Sequence, residues 1–103
     1  QVAGVVVPVF SLRSRNSCGV GDFGDLREMA GLAAGIGLHA VQILPVNDTS
    51  RSGTWADSYP YNGISVFALH PMYTDLGALK PLDDKTLSDS FKREFEALNR
   101  LCL

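Results

Sequence analysis

The 103-residue chain is poor in the residues that announce redox chemistry, metals or charged partners. Its two cysteines, Cys18 and Cys102, stand far apart without CxxC spacing, which argues against a disulfide framework and a zinc site and reads as two free thiols. Its two histidines, His39 and His70, have no second ligand at metal spacing, so both read as structural and no metal is expected. Nine Lys and Arg against 11 Asp and Glu give a formal charge of -2. There is no basic stripe to neutralise phosphates, so neither nucleic acid nor an anionic membrane surface is expected as a partner. No run approaches the roughly 20 apolar residues that span a bilayer, and no basic segment precedes the apolar start, so neither membrane insertion nor secretion is supported. Repeats and low-complexity runs are missing too. Position 1 is Gln rather than Met, and Leu103 stands inside an apolar-periodic stretch, so both ends read as cut from something longer.

What is present is a globular composition, 46% hydrophobic and 19% charged, enough for one domain at most. Val5, Val6, Val7, Val9 and Phe10 predict a strand, β-branched and apolar as in parallel sheets buried on both faces, over about 5–10. Asp22 can cap a helix over about 23–35, with Asp25 three residues on and Leu26, Met29, Ala30 and Ala33 at helical spacing; Gly35 and Gly37 supply the stop. A second buried strand is predicted over about 39–46. The order β, α, β joins parallel strands by a right-handed crossover, the unit of both doubly wound sheets and barrels, so the class is α/β. Residues 47–65 form a Ser-, Gly-, Asn- and aromatic-rich loop, long enough to be functional. Val66 to Leu69 form a short apolar piece, and the stretch around Gly77 and Pro81 reads as irregular. Leu87, Phe91, Phe95, Leu98 and Cys102 mark an amphipathic helix over about 88–103, with Ser88 as its cap.

Two motifs compete for the function. Gly19-Val20-Gly21-Asp22-Phe23-Gly24 fits G-x-G-x-x-G, and Asp48 follows the second strand where a dinucleotide fold places its ribose acid. Eight residues separate Phe10 from Gly19, however, so a diphosphate would not sit over the sheet edge, and the Asp22 carboxylate would repel it from the helix N-terminus. A glycine turn into a capped helix explains the pattern better, and no cofactor is expected. The second motif is the loop after strand two, Trp55-Ala56-Asp57-Ser58-Tyr59-Pro60-Tyr61-Asn62, which in a barrel would lie at the active-site face. Aromatic rings that stack on a pyranose face, beside short side chains that hydrogen-bond hydroxyls, suit a neutral sugar. On spacing alone, Trp55, Tyr59 and Tyr61 could equally fold back onto the core.

Over roughly Gly4 to Leu82 the chain resembles the amylomaltase or disproportionating-enzyme type of 4-alpha-glucanotransferase, in the wider alpha-amylase clan. The resemblance rests on the Pro-containing first strand, Gly19 to Asp25, the strand end Gln42 to Thr49, and Ser58 to Ser65 followed by Phe67 to Pro71. Asn47-Asp48-Thr49 with Trp55 to Tyr61 is most like the cytosolic plant type that handles maltose, whereas Tyr59 departs from the Ser-Pro-Tyr of bacterial and plastid types. The resemblance implies the first units of a (β/α)8 TIM-type barrel, of which the whole of 1–103 is the N-terminal part, since a complete barrel needs roughly 250 residues. It implies a cytoplasmic enzyme passing α-1,4-glucan or glucosyl units from maltose or maltooligosaccharides to a glucan or glucose acceptor, by a retaining double displacement. Tyr61 would stack beneath the sugar at the cut bond, Asp57 and Ser58 would line the same pocket, and Trp55 would stack on an acceptor or more distant glucose. The reacting carboxylates would come from later strands, so no catalytic residue is expected here and the segment alone should be inactive. The alternatives are a dinucleotide-binding part of an oxidoreductase and a non-catalytic carbohydrate-binding module.

Overall fold

A computed structural model describes residues 1–17, 19–79 and 85–102; at Lys85, Leu87, Ser88, Asn99 and Cys102 it describes the backbone alone. The thiols of Cys18 and Cys102 and the Pro81 end of the stretch read as irregular lie outside what is described. Two strands, β1 (Gly4–Val7) and β2 (Ala40–Ile43), pair in parallel with Gly4 opposite Ala40 and Val7 opposite Ile43, and helix α1 (Phe23–Gly35) connects them. A second helix, α2, runs Lys85–Cys102. The observed architecture is therefore a small α/β unit with a two-stranded parallel sheet.

Both strands are shorter than the apolar runs that predict them. Pro8 has no N–H to give the ladder, and at its position the chain leaves β1 for a single 3-10 turn, Val9–Ser11, whose Val9 side chain is buried. β2 ends at Ile43, opposite the last residue of β1. The three residues Val46 to Asp48 find another partner: Asn47 forms an antiparallel bridge with Leu69, the Asp48 amide donates to the Ala68 carbonyl, and the His70 amide donates to the Val46 carbonyl. Along β1 and β2 the side chains alternate between exposed and half-buried, not buried on both faces as the run of valines predicts. Val9, Ala33 and Tyr73 are the buried apolar residues among those described, while Val6, Ile36 and Phe67 stand largely in solvent. The segment presents core-forming faces without the layers that would cover them.

α1 begins with a capping box. The Asp22 carboxylate accepts from the Asp25 amide at 2.9 Å, and the Asp25 carboxylate accepts from the Asp22 amide at 3.0 Å, an arrangement that stabilises a helix start by about 1 kcal/mol. The helix ends in a Schellman motif: Gly37, at φ +88, donates to Ala34, and Leu38 donates to Ala33. Helix α2 begins at Lys85, three residues before Ser88, so Ser88 lies inside the helix and is not its cap. Phe91 and Phe95 stack one turn apart with ring centroids at 6.0 Å, and Phe95 reaches a cavity of about 240 Å³ shared with Val20, Asp22, Pro71 and Met72. The stretch read as irregular contains two further 3-10 turns, Pro71–Tyr73 and Leu76–Ala78, the first capped by His70 Nδ1 accepting from the Met72 amide.

Candidate sugar-binding loop

The glycine motif is accounted for by packing. Gly21 donates to the Phe10 carbonyl, and a Cβ placed on it would lie 2.0 Å from the Val9 carbonyl oxygen and 2.8 Å from Leu12 Cβ, so no larger residue fits under the Val9–Ser11 turn. In the first turn of α1 the Asp25 amide is engaged by the Asp22 cap, and the Asp25 carboxylate in turn accepts from Ser14 Oγ at 2.5 Å and Ser17 Oγ at 2.9 Å. Burial pushes the Asp22 carboxyl up from its ordinary value. A diphosphate would have to displace a carboxylate that the fold already uses.

The aromatic loop leaves the C-terminal end of β2 and returns at Leu69, closed at its base by the Asn47–Leu69 bridge. Ile64 donates to the Asp48 carbonyl, and Arg51 Nη2 donates to the Gly63 carbonyl at 3.3 Å, tying the outgoing arm to the returning one. Thr49, buried, donates its hydroxyl to the Asp57 carbonyl. Trp55–Ser58 form one 3-10 turn, so Trp55, Asp57 and Ser58 share a local scaffold, and Ser58 Oγ donates to the Trp55 carbonyl at 2.7 Å.

The rings stand in solvent, not on the segment's own core: Trp55 is 88% exposed and Tyr61 63%. Tyr59 and Tyr61 lie with ring centroids 5.7 Å apart at 48°. Tyr61 lines a cavity of about 340 Å³ with Pro45, Asn47, Pro60, Gly63, Ile64, Ser65 and Val66, at the low end of the range for small-ligand sites. Trp55, Asp57 and Ser58 are not among its walls. The structure thus groups the four sequence-predicted residues in two places, three on the 3-10 turn and Tyr61 at the cavity. Pro45, Asn47 and Ile64 are walls that residue type alone did not single out; the turn from strand end to loop at Pro45 was the available signal.

Two carboxylates stand near the loop, and both face their own backbone. Asp48 Oδ1 accepts from the Ser50 amide at 2.9 Å, and Asp57 accepts from the amides of Arg51, Ser52 and Gly53 and from Ser52 Oγ, between 2.8 and 3.1 Å. The Ser50 amide holds the Asp48 carboxyl below its ordinary range, and the Ser52 amide, foremost among several donors, does the same for Asp57. Carboxyls so held are poor proton donors at neutral pH, so neither suits the role of acid, and on Asp57 the four donors also occupy the acceptor positions. Among the described residues no three His, Cys, Asp or Glu side chains converge as metal ligands, and no helix is long and apolar enough to cross a membrane.

The observed unit is a parallel βαβ arrangement with an exposed aromatic loop at the C-terminal end of its second strand. The family model for glycoside hydrolase family 77, 4-alpha-glucanotransferase, matches residues 7–101, and the chain belongs to that family. It is 46% identical over 98 residues to the 4-alpha-glucanotransferase DPE2 of Oryza sativa subsp. japonica, covering 95% of this chain and 10% of that protein. It is 39% identical over 98 residues to the 4-alpha-glucanotransferase of Chlamydia caviae (95% of this chain, 18% of the relative) and 35% identical over 99 residues to that of Chlamydia pneumoniae (96% and 17%). The chain therefore spans between 10% and 18% of the length of these relatives. No solved structure matches it significantly.

Proposed function

We propose that this segment opens the (β/α)8 barrel of a 4-alpha-glucanotransferase, a cytoplasmic enzyme that moves α-1,4-glucan or glucosyl units from maltose or maltooligosaccharides to a glucan or glucose acceptor. Family membership supports the activity. The single structural observation that carries the site is the exposed Tyr61 ring at the cavity beyond β2, since a tyrosine turned out of the core offers the flat apolar face a glucosyl ring stacks against, with Asn47 and Ser65 in the same cavity wall. Tyr61 forms the floor beneath the sugar at the cut bond, Ser58 offers a hydroxyl, Trp55 stacks on a more distant glucose or the acceptor, and Asp57 belongs to the same loop.

The reaction is a retaining double displacement. One carboxylate attacks the anomeric carbon as a second carboxyl protonates the leaving oxygen, and an acceptor hydroxyl then replaces the enzyme. In keeping with the family resemblance, later barrel strands supply both groups, and the Asp57 carboxylate is taken up by loop amides. The cytoplasmic setting rests on the likeness of the Asn47-Asp48-Thr49 and Trp55 to Tyr61 stretches to the cytosolic type. The test is transfer by the full-length enzyme: glucose released from maltose with glycogen as acceptor, and none from the 103-residue segment alone. Glucose release by the segment above a no-enzyme control, or none by the full-length enzyme on maltose or maltotriose, would refute the proposal.

A further inference from the structure

Among the described residues Asp57 is the most heavily hydrogen-bonded side chain of the loop, and it is not a wall of the cavity at Tyr61. Oδ2 accepts from the amides of Arg51 at 3.1 Å, Ser52 at 3.1 Å and Gly53 at 2.8 Å, and Oδ1 from Ser52 Oγ at 2.9 Å with a second contact to the Ser52 amide at 3.1 Å. An ionised carboxylate offers about four lone-pair positions. Four donors of its own chain occupy them, leaving none for a sugar hydroxyl. The backbone of the same residue receives the Thr49 hydroxyl, so Asp57 joins the outgoing arm of the loop at Thr49 to Gly53 and carries the Trp55–Ser58 turn. Arg51, whose amide Asp57 holds, reaches across to Gly63, two residues beyond Tyr61.

We propose that Asp57 is a positioning residue for the transfer reaction: it touches no sugar, and by gathering the amides of Arg51, Ser52 and Gly53 it sets the Trp55–Ser58 turn and, through Arg51, the arm that bears Tyr61. The proposal rests on the loop being the substrate loop, and it revises the expectation that the Asp57 side chain lines the pocket. An amide in place of the carboxylate keeps the size but offers a single acceptor oxygen, so Asp57→Asn loses part of the amide cradle. Ser52→Ala removes one donor only, and keeps the test open if Asp57→Asn does not fold.

The experiment uses the full-length enzyme and two readouts. The first, without substrate, is the rate of tryptic cutting after Arg51, identified by the masses of the products, since exposed loops are cut in proportion to their local opening. The second is kcat and KM for maltose transfer, with the melting temperature as control. Asp57→Asn is expected to speed cutting after Arg51 severalfold and to lower kcat about tenfold, as misplaced reacting groups do, with KM and melting temperature little changed. Ser52→Ala should move both readouts the same way by less, and Tyr61→Ala should leave the cutting rate at the wild-type value. Loss of activity with unchanged cutting would mean a direct sugar contact, and faster cutting with unchanged kcat would mean a purely structural brace; either overturns the proposal. Absence of transfer activity in the wild type would overturn the glucanotransferase reading instead, while the cutting result still decides whether Asp57 holds the loop.

Discussion

The segment contains two loops built around an aspartate, and they differ in where the aspartate sits. In the glycine turn Asp25 is 6% exposed and gathers Ser14, the fully buried Ser17 and the Asp22 amide, welding the loop after β1 to the first turn of α1. In the aromatic loop the half-buried Asp57 gathers Arg51, Ser52 and Gly53 through hydrogen bonds that water can reach. The same kind of carboxylate hub therefore serves two ends. A buried hub contributes mainly to stability, because its loss strands donors away from water, whereas a hub that water reaches can be loosened with small cost to the fold and large cost to the geometry it holds.

The largest expected effect falls on the buried hub. In the full-length enzyme Asp25→Ala leaves two serine hydroxyls and an amide without their acceptor and should cost about 3 to 5 kcal/mol of stability, read as a lowered denaturant midpoint or melting temperature. Turnover per folded molecule should be unchanged, and a loss below about 1 kcal/mol would erase the contrast. Next comes Tyr61→Ala, in the aromatic loop: about 2 to 4 kcal/mol of transition-state stabilisation lost, expressed mainly in kcat, with little change in melting temperature because the ring is not packed on the core of its own segment. A large drop in melting temperature with unchanged turnover would make Tyr61 a packing residue. Tyr61→Phe keeps the stacking face and should cost about 1 kcal/mol or less.

The smallest effect separates the loops by pH. Asp57 is held below 3.8, so its contribution is present above that pH and is lost as pH falls through its depressed folded value. Asp22 is raised by burial, so its ionised form is penalised, and its contribution is favourable below 3.8 and is lost as pH rises through its higher folded value. Hydrogen exchange corrected for intrinsic rates should therefore show the amides of Ser52 and Gly53 losing protection below about pH 4 before those of Asp25 and Leu26 do. The reverse order would remove the distinction between the two hubs.

What was legible in the sequence was local. Asp22 with Asp25, the periodic Leu26 to Ala33 and the closing Gly37 announce α1 because every one of those signals acts within a few residues. The strand ends were not legible: the apolar run through Val46 continues past Ile43, and only the pairing of Asn47 with Leu69, 22 positions away, explains why it changes partner. Ser88 looked like a cap because Ser commonly is one, yet the helix had already begun at Lys85. In the loop, residue type pointed to Trp55, Asp57, Ser58 and Tyr61, but type cannot say which way a carboxylate faces. That Asp57 faces Arg51 to Gly53 follows from the tertiary course of the loop.

The Asn47–Leu69 bridge has a consequence for loop length. It closes the loop at its base, so the strand register below is fixed independently of how many residues lie above. Closing a longer loop is inexpensive, about 0.6 kcal/mol for each doubling of length. The tip above the bridge can therefore change length without disturbing the sheet below it.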